Sequence, residues 1–298
     1  MAGPFVSRLR EKLAAGHAPV CVGIDPRLED LPRRLLPDAA PPARIAAFCR
    51  EVLPVLAPVV PAVKPNVAFF ERWGSAGFAV YEEVCRRARA LGLLVIGDVK
   101  RGDIGSTAEA YAALHLDLAD AVTLHPLLGR DAVAPFLARC ERDGSAVFVL
   151  VRTSNASAAE LQGLRLEGGG DVSDAVARAV DAWGAGLGPP DDYGPVGAVV
   201  GATWPDDLAR LRAAMPRALL LLPGVGAQGA SIEDTLPAFD AAGFGALVNQ
   251  SRGVLRAFAA DDDAWLDAIA RAARDFSAQM TRALAARAAA GGSRGAGG

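Results

Sequence analysis

Asp98-Val99-Lys100-Arg101-Gly102-Asp103 places two acids around one lysine. The segment follows, after Gly97, on the apolar run Leu93-Leu94-Val95-Ile96, which reads as a buried parallel strand. Side chains two apart on a strand share a face, so Asp98 and Lys100 point the same way. The glycines beyond them bend the chain and bring Asp103 round. Burying such charges is costly unless they work together. Lys64 ends another apolar stretch, Pro58-Val59-Val60-Pro61-Ala62-Val63. Either it snorkels to solvent or it joins Asp98, Lys100 and Asp103 in an alternating network. That network would keep both lysines protonated and both acids ionised. A protonated, positioned lysine can act as a general acid.

Further polar residues follow other apolar runs. Asp25 precedes Pro26, as a turn aspartate often does; its place at a strand end favours a substrate contact. Pro223-Gly224-Val225-Gly226, with Gln228 close by, and Ser251-Arg252-Gly253 before a helix start have the makings of a phosphate site. Backbone N–H groups and a helix N-terminus face the anion in such a site, and Arg252 adds a bidentate charge. Arg152-Thr153-Ser154-Asn155 offers hydroxyl and amide groups that suit a base-like ring or cap the next helix. His125 reads as a packed, satisfied histidine, and His17 and His115 as surface or helix residues.

The elements that must position these groups are legible as eight short apolar runs, most followed by a helical pattern. The runs are 20–24, 62–64, 93–100, 121–124, 146–151, 196–200, 218–222 and 246–248. Eight alternations at this length predict an α/β fold, a (β/α)8 TIM barrel. The first βα turn lacks the GxGxxG of a doubly wound sheet. The polar residues all fall at C-terminal strand ends, the face that carries barrel active sites. Residues 1–290 are expected to form a single barrel domain, and 291–298 a disordered tail. An N-terminal surface helix carries the stripe Phe5, Leu9, Leu13, Gly168-Gly169-Gly170 make a flexible joint, and a helix follows over 172–183.

Composition narrows the function classes. The chain has 298 residues, 52% of them hydrophobic, and a net charge of −3. It can bury a large core; its scattered basic residues leave no nucleic-acid footprint. No apolar run is long enough to span a membrane, and the N-terminus lacks a signal-peptide core. Cys21, Cys49, Cys85 and Cys140 form no CxxC pair, and no His lies at metal-ligand spacing. Buried reduced thiols in a cytoplasmic protein are expected, with no metal site, so that side chains or a bound organic cofactor do the chemistry.

The ordered set of Asp25, Lys64, Asp98-x-Lys100-x-x-Asp103-Ile104-Gly105-Ser106-Thr107, Pro223-Gly224-Val225-Gly226 and Ser251-Arg252-Gly253 resembles the orotidine 5′-phosphate decarboxylases. Lys64-Pro65-Asn66 and Arg152-Thr153-Ser154-Asn155 resemble the bacterial type 2 branch. The resemblance implies decarboxylation of orotidine 5′-monophosphate to uridine 5′-monophosphate in pyrimidine biosynthesis, with no metal and no organic cofactor. It implies Lys100 as proton donor to C6, Asp98 beside the departing carboxylate, and Lys64 with Asp25 on the ribose hydroxyls. It implies a homodimer in which Asp103 and Thr107 reach the partner's substrate. Ser154 would meet the pyrimidine, and Arg252, Gly226 and Gln228 the phosphate, with Pro223 and Gly224 in the same loop. Two rival readings share parts of this pattern. One is a metal-dependent keto-acid sugar-phosphate decarboxylase; the other is a phosphate-ligand binding protein without turnover.

Overall fold

A computed structural model describes residues 3–292. Eight parallel strands close into one barrel in sequence order. They are β1 Val20–Ile24, β2 Ala62–Pro65, β3 Leu94–Arg101, β4 Ala121–Leu124, β5 Ala146–Arg152, β6 Val196–Val200, β7 Leu220–Pro223 and β8 Ala246–Gln250. The predicted barrel is therefore the observed one, with β7 starting later and β8 ending later than the apolar runs suggest. The helices in chain order are α1 Phe5–Ala14, α2 Pro41–Leu56, α3 Ala68–Glu71, α4 Gly74–Ala90, α5 Gly105–Leu118 and α6 Arg130–Asp143. They continue with α7 Val172–Gly184, α8 Pro205–Ala214, α9 Arg252–Leu255 and α10 Trp265–Gly292.

The strands are apolar on both faces because both are covered. Val20, Val22, Val63, Val95, Val122 and Val147 pack outward with the helices. The alternate residues Cys21, Ala62, Leu94, Ile96, Ala121, Phe148 and Leu247 form a separate interior cluster. Helix α1 carries the expected stripe but is more than a surface helix. Phe5 and Leu9 are buried in that interior cluster, and the Phe5 ring meets Phe148 edge-on with centroids 6.0 Å apart. The helix thus plugs the N-terminal mouth of the barrel, which would otherwise expose Phe148 and its neighbours to water.

Other expectations are corrected here. Gly168-Gly169-Gly170 is a hydrogen-bonded turn rather than a loose joint, with Leu166 N–H donating to Gly170 O at 3.1 Å and Gly169 N–H to Leu166 O at 3.0 Å. It delivers Asp171, which caps α7 in a reciprocal capping box with Asp174. Of the expected tail, residues 291 and 292 continue α10, and 293–298 lie outside the described residues. His115 lies on α5, as expected of a helix residue, but faces the core and is 1% exposed. All four cysteines are buried and free, and burial pushes the Cys21, Cys85 and Cys140 thiols up to about 12. No described helix is long and apolar enough to cross a membrane.

Phe5→Ala removes the centre of the plug and should cost about 3–5 kcal/mol, read as a lower urea midpoint at an unchanged m-value. His115 supplies a pH dependence. Burial first, and the neighbouring Arg101 charge second, lower its pKa from 6.5 to about 4, and Arg101 Nε–H donates to its Nε2 at 3.3 Å. The unfolded chain takes up the proton below about pH 6.5, whereas the folded chain does so only near pH 4. Stability therefore falls as the pH drops between these values, by about 3 kcal/mol in total from this residue. His115→Phe should lack that component; equal losses for both proteins in urea melts at pH 7 and pH 4.5 would exclude it.

Candidate active site

The interior face changes character toward the C-terminal ends of the strands. Below, its positions are Cys21, Ala62, Ile96, Ala121 and Leu247; two residues further along each strand they become Gly23, Lys64, Asp98, Thr123 and Asn249. The period of two that fills the barrel therefore also aims these groups at one another. Asp25 follows on the same face of β1.

Lys64 and Asp98 are 6% and 7% exposed. Lys64 Nζ donates to Asp98 Oδ2 at 2.6 Å, and Lys100 Nζ donates to Asp98 Oδ1. One carboxylate thus serves two ammonium groups, one oxygen each. Burial opposes the charge on Lys64, but Asp98 and then Asp25 outweigh it and hold its pKa above the ordinary value. Burial likewise favours neutral Asp98, yet the two lysines hold its pKa well below the usual carboxylate range. Lys64 and Asp98 are thus each held in the charged form by their neighbours. The Lys100 side chain is half-exposed and stands at the open end of the series.

Asp103 departs from the expected network. The β3–β4 register shifts between Gly97, opposite Val122, and Arg101, opposite Leu124. The extra residues carry the chain beyond the lysines before Asp103 is reached. Its Oδ1 instead accepts from Ile104 N–H at 2.8 Å, and it forms no ion pair among the described residues. Thr107 is exposed on the first turn of α5. His125 is exposed rather than packed, because β4 ends at Leu124; its Nδ1 accepts from Leu127 N–H at 3.3 Å.

The loops after β5 to β8 converge beside the charged series. A Cβ on Gly224 would lie 3.4 Å from Ser154 Cβ and 3.2 Å from Gln228 Oε1, so Ser154, Gly224 and Gln228 form one cluster. Thr203 Oγ1 donates to Ser154 O at 3.2 Å, and Trp204 Nε1 to Thr153 O at 3.0 Å. Thr153 Oγ1 is engaged by Asn155 and Gln162, and Asn155 Nδ2 donates to Ser157 Oγ at 2.9 Å. The Ser154 hydroxyl is left free of hydrogen bonds among the described residues. Pro223 ends β7. Gly224 and Gly226 have φ of +117° and +77°, which only glycine adopts without strain. The Gly226 N–H is spent on Ala230 O at 2.9 Å, so this glycine offers shape rather than a donor: a Cβ there would stand 2.8 Å from Gln250 Nε2. Arg252 is exposed on α9 and reaches back to Ala227 O at 3.4 Å.

Between the β1, β2 and β8 loops lies a cleft of about 290 Å³ lined by Asp25, Asn66, Phe69, Ser251, Arg252 and Arg256. Asp25 Oδ1 and Asn249 Oδ1 are buried acceptors without a donor among the described residues. Among those residues no three His, Cys, Asp or Glu side chains gather as a metal site needs. Sequence reasoning missed Thr123 and Asn249. A threonine in a strand reads as a β-former, and only its inward parity with Ala121 marks it out.

Residues 18–264 match the model of the "Orotidine 5′-phosphate decarboxylase / HUMPS family". The chain is 42% identical to the orotidine 5′-phosphate decarboxylase of Rhodopirellula baltica, over 93% of this chain and 98% of that one. It is 45% identical to that of Deinococcus radiodurans, over 85% and 90%. Among solved structures, the OMP decarboxylase of Leishmania donovani superposes with a TM-score of 0.76 at 35% identity, covering 94% of this chain and 98% of that one. By sequence and by fold together, this chain belongs to the orotidine 5′-phosphate decarboxylase family.

Proposed function

We propose that the barrel decarboxylates orotidine 5′-monophosphate to uridine 5′-monophosphate with Lys100 as the proton donor. The observation that carries this reading is the buried Asp98 held between Lys64 and Lys100 at the active-site rim. In the reaction the bond from C6 to the carboxylate carbon breaks and CO2 leaves. The electron pair stays on C6, and a proton moves from Lys100 Nζ to that carbon. Negative charge grows at C6 as the bond lengthens, and a pre-positioned ammonium stabilises it without reorganisation. Lys100 then regains a proton from water.

The remaining residues take roles by place. Asp98 lies beside the departing carboxylate. Asp25, whose Oδ1 is a buried acceptor in need of a donor, suits a ribose hydroxyl together with Lys64. The free Ser154 hydroxyl suits the polar edge of the pyrimidine. Gln228 and Arg252, with the open turn of Pro223, Gly224 and Gly226, suit the phosphate, where charge-assisted contacts are strongest. Phosphate binding far from C6 can be used to orient the ring and exclude water.

We further propose a homodimer in the cytoplasm. Ile104, Leu127 and Leu128, in the successive loops after β3 and β4, are large apolar side chains 53%, 81% and 52% exposed, apolar surface that a second copy could cover. Asp103 and Thr107 lie beside it, free to serve a site on a second copy. The buried thiols suit a reducing compartment.

The purified protein should consume orotidine 5′-monophosphate in the presence of a chelator, followed as loss of the orotate-ring absorbance. Lys100→Ala should lower the rate by about 10³-fold or more while the protein still folds, read as a cooperative thermal transition. Near-normal turnover by that variant would sink the assignment, and activity that depends on added divalent metal would favour the sugar-phosphate reading. Sedimentation equilibrium should give twice the chain mass, and Leu127→Asp should shift it toward the monomer; a monomeric wild type at assay concentration excludes the shared site.

A further inference from the structure

We propose that Thr123 is a positioning residue for the proton donor: its hydroxyl ties the backbone of Lys100 to the carboxylate that binds the Lys100 side chain. Thr123 is 1% exposed and lies on β4 one residue past Val122, the partner of Gly97, so it sits level with Asp98. Its Oγ1 accepts from Lys100 N–H at 3.0 Å and donates to Asp98 Oδ1 at 3.0 Å. Asp98 Oδ1 in turn accepts from Lys100 Nζ. The four groups close a ring that holds Lys100 at both ends, and the single hydroxyl proton is fully used by the Asp98 contact.

The backbone shows why such a tie is needed. Lys100 has φ of +46°, a left-handed conformation that a non-glycine residue adopts only when its surroundings impose it. It lies where the β3–β4 register breaks, and Thr123 accepts the N–H that turns inward there. A change of the Lys100 backbone away from this conformation would take its N–H out of line with Thr123 Oγ1 and shift the root of its side chain relative to Asp98. Thr123 touches none of the reacting atoms in this arrangement; it acts through Asp98 and Lys100. The inference rests on the reading of Lys100 as proton donor.

Two substitutions separate the hydroxyl from the shape. Thr123→Val keeps the branched side chain and removes both hydrogen bonds; Thr123→Ser keeps the hydroxyl. In steady-state assays on orotidine 5′-monophosphate, the valine variant should lose about 10²-fold in kcat, the scale of a misplacement near 1 Å. Its KM should stay within about threefold, because the phosphate loops are untouched. The serine variant should recover most of the loss. Amide exchange of the Lys100 N–H should be faster in the valine variant and near wild type in the serine variant. A purely structural role would lower the melting temperature of the valine variant and leave kcat in place. A valine kcat within twofold of wild type, or a serine variant as slow as valine, overturns the proposal. Should the valine variant fail to fold, Thr123→Ala answers the same question by the same readouts. A wild-type protein inert toward this substrate would instead refute the decarboxylase reading, and the Lys100 exchange rates would then decide the positioning role alone.

Discussion

Asp98 is a carboxylate at a depth where water barely reaches it, and it is charged. An unpaired carboxylate there would take up a proton rather than pay its desolvation. Its two oxygens therefore need two cations, and the barrel supplies them from two directions. Lys64 comes from the neighbouring strand β2, and Lys100 comes from β3 itself, two residues further on. Both are available because closure in sequence order makes β2, β3 and β4 adjacent. Removing either lysine would leave a buried charge half-compensated, which costs far more than the net worth of such a pair. The group is thus a unit, and the strand order and register exist in the form that keeps it complete.

The barrel interior is divided by depth. The lower layers are apolar and sealed by Phe5 and Leu9 of α1; the top layer is polar and charged. Apolar filling below the charges keeps the local dielectric low, so each charge contact is stronger than it would be in water. It also leaves the charged layer a single exit, upward toward the βα loops. Those loops divide the work. The β1 to β3 ends carry the buried charge series, and the β5 to β8 ends carry neutral hydroxyl and amide groups with the exposed Arg252 and Arg256. A substrate lying across the mouth meets an ionic half and a hydrogen-bonding half.

What the sequence makes legible follows the strand period. Alternation predicts that Asp98 and Lys100 share a face, while for Lys64 it leaves both a snorkelling and a paired side chain open. Prediction fails where regularity does. The irregularity in β3 is invisible in the apolar pattern, so Asp103 falls outside the charge series. His125 turns out to be exposed because the strand stops one residue before it. The stripe Phe5, Leu9, Leu13 marks a helix correctly, but a stripe does not say what it covers; only the closed barrel provides a mouth of the right size. Thr123 and the spent amide of Gly226 are likewise properties of register and turn geometry, which residue type does not encode.

The burial gradient within the charge series has a mechanistic consequence. Lys64 and Asp98 are enclosed, whereas Lys100 is half-exposed. The enclosed pair is fixed before substrate arrives, so its ordering cost is met in folding rather than in catalysis. The free end is different. An ammonium open to water is screened, and its attraction for a growing charge at C6 is weak until that water is displaced. Whatever covers the mouth therefore sets how strongly the fixed charges act. In the proposed arrangement the loops after β7 and β8 would hold the phosphate across the barrel from Lys100, and contacts made there would press the ring down onto the ammonium. Binding far from the reacting carbon then raises the electrostatic value of charges already in place, which is how a rigid barrel can favour the transition state over the bound substrate.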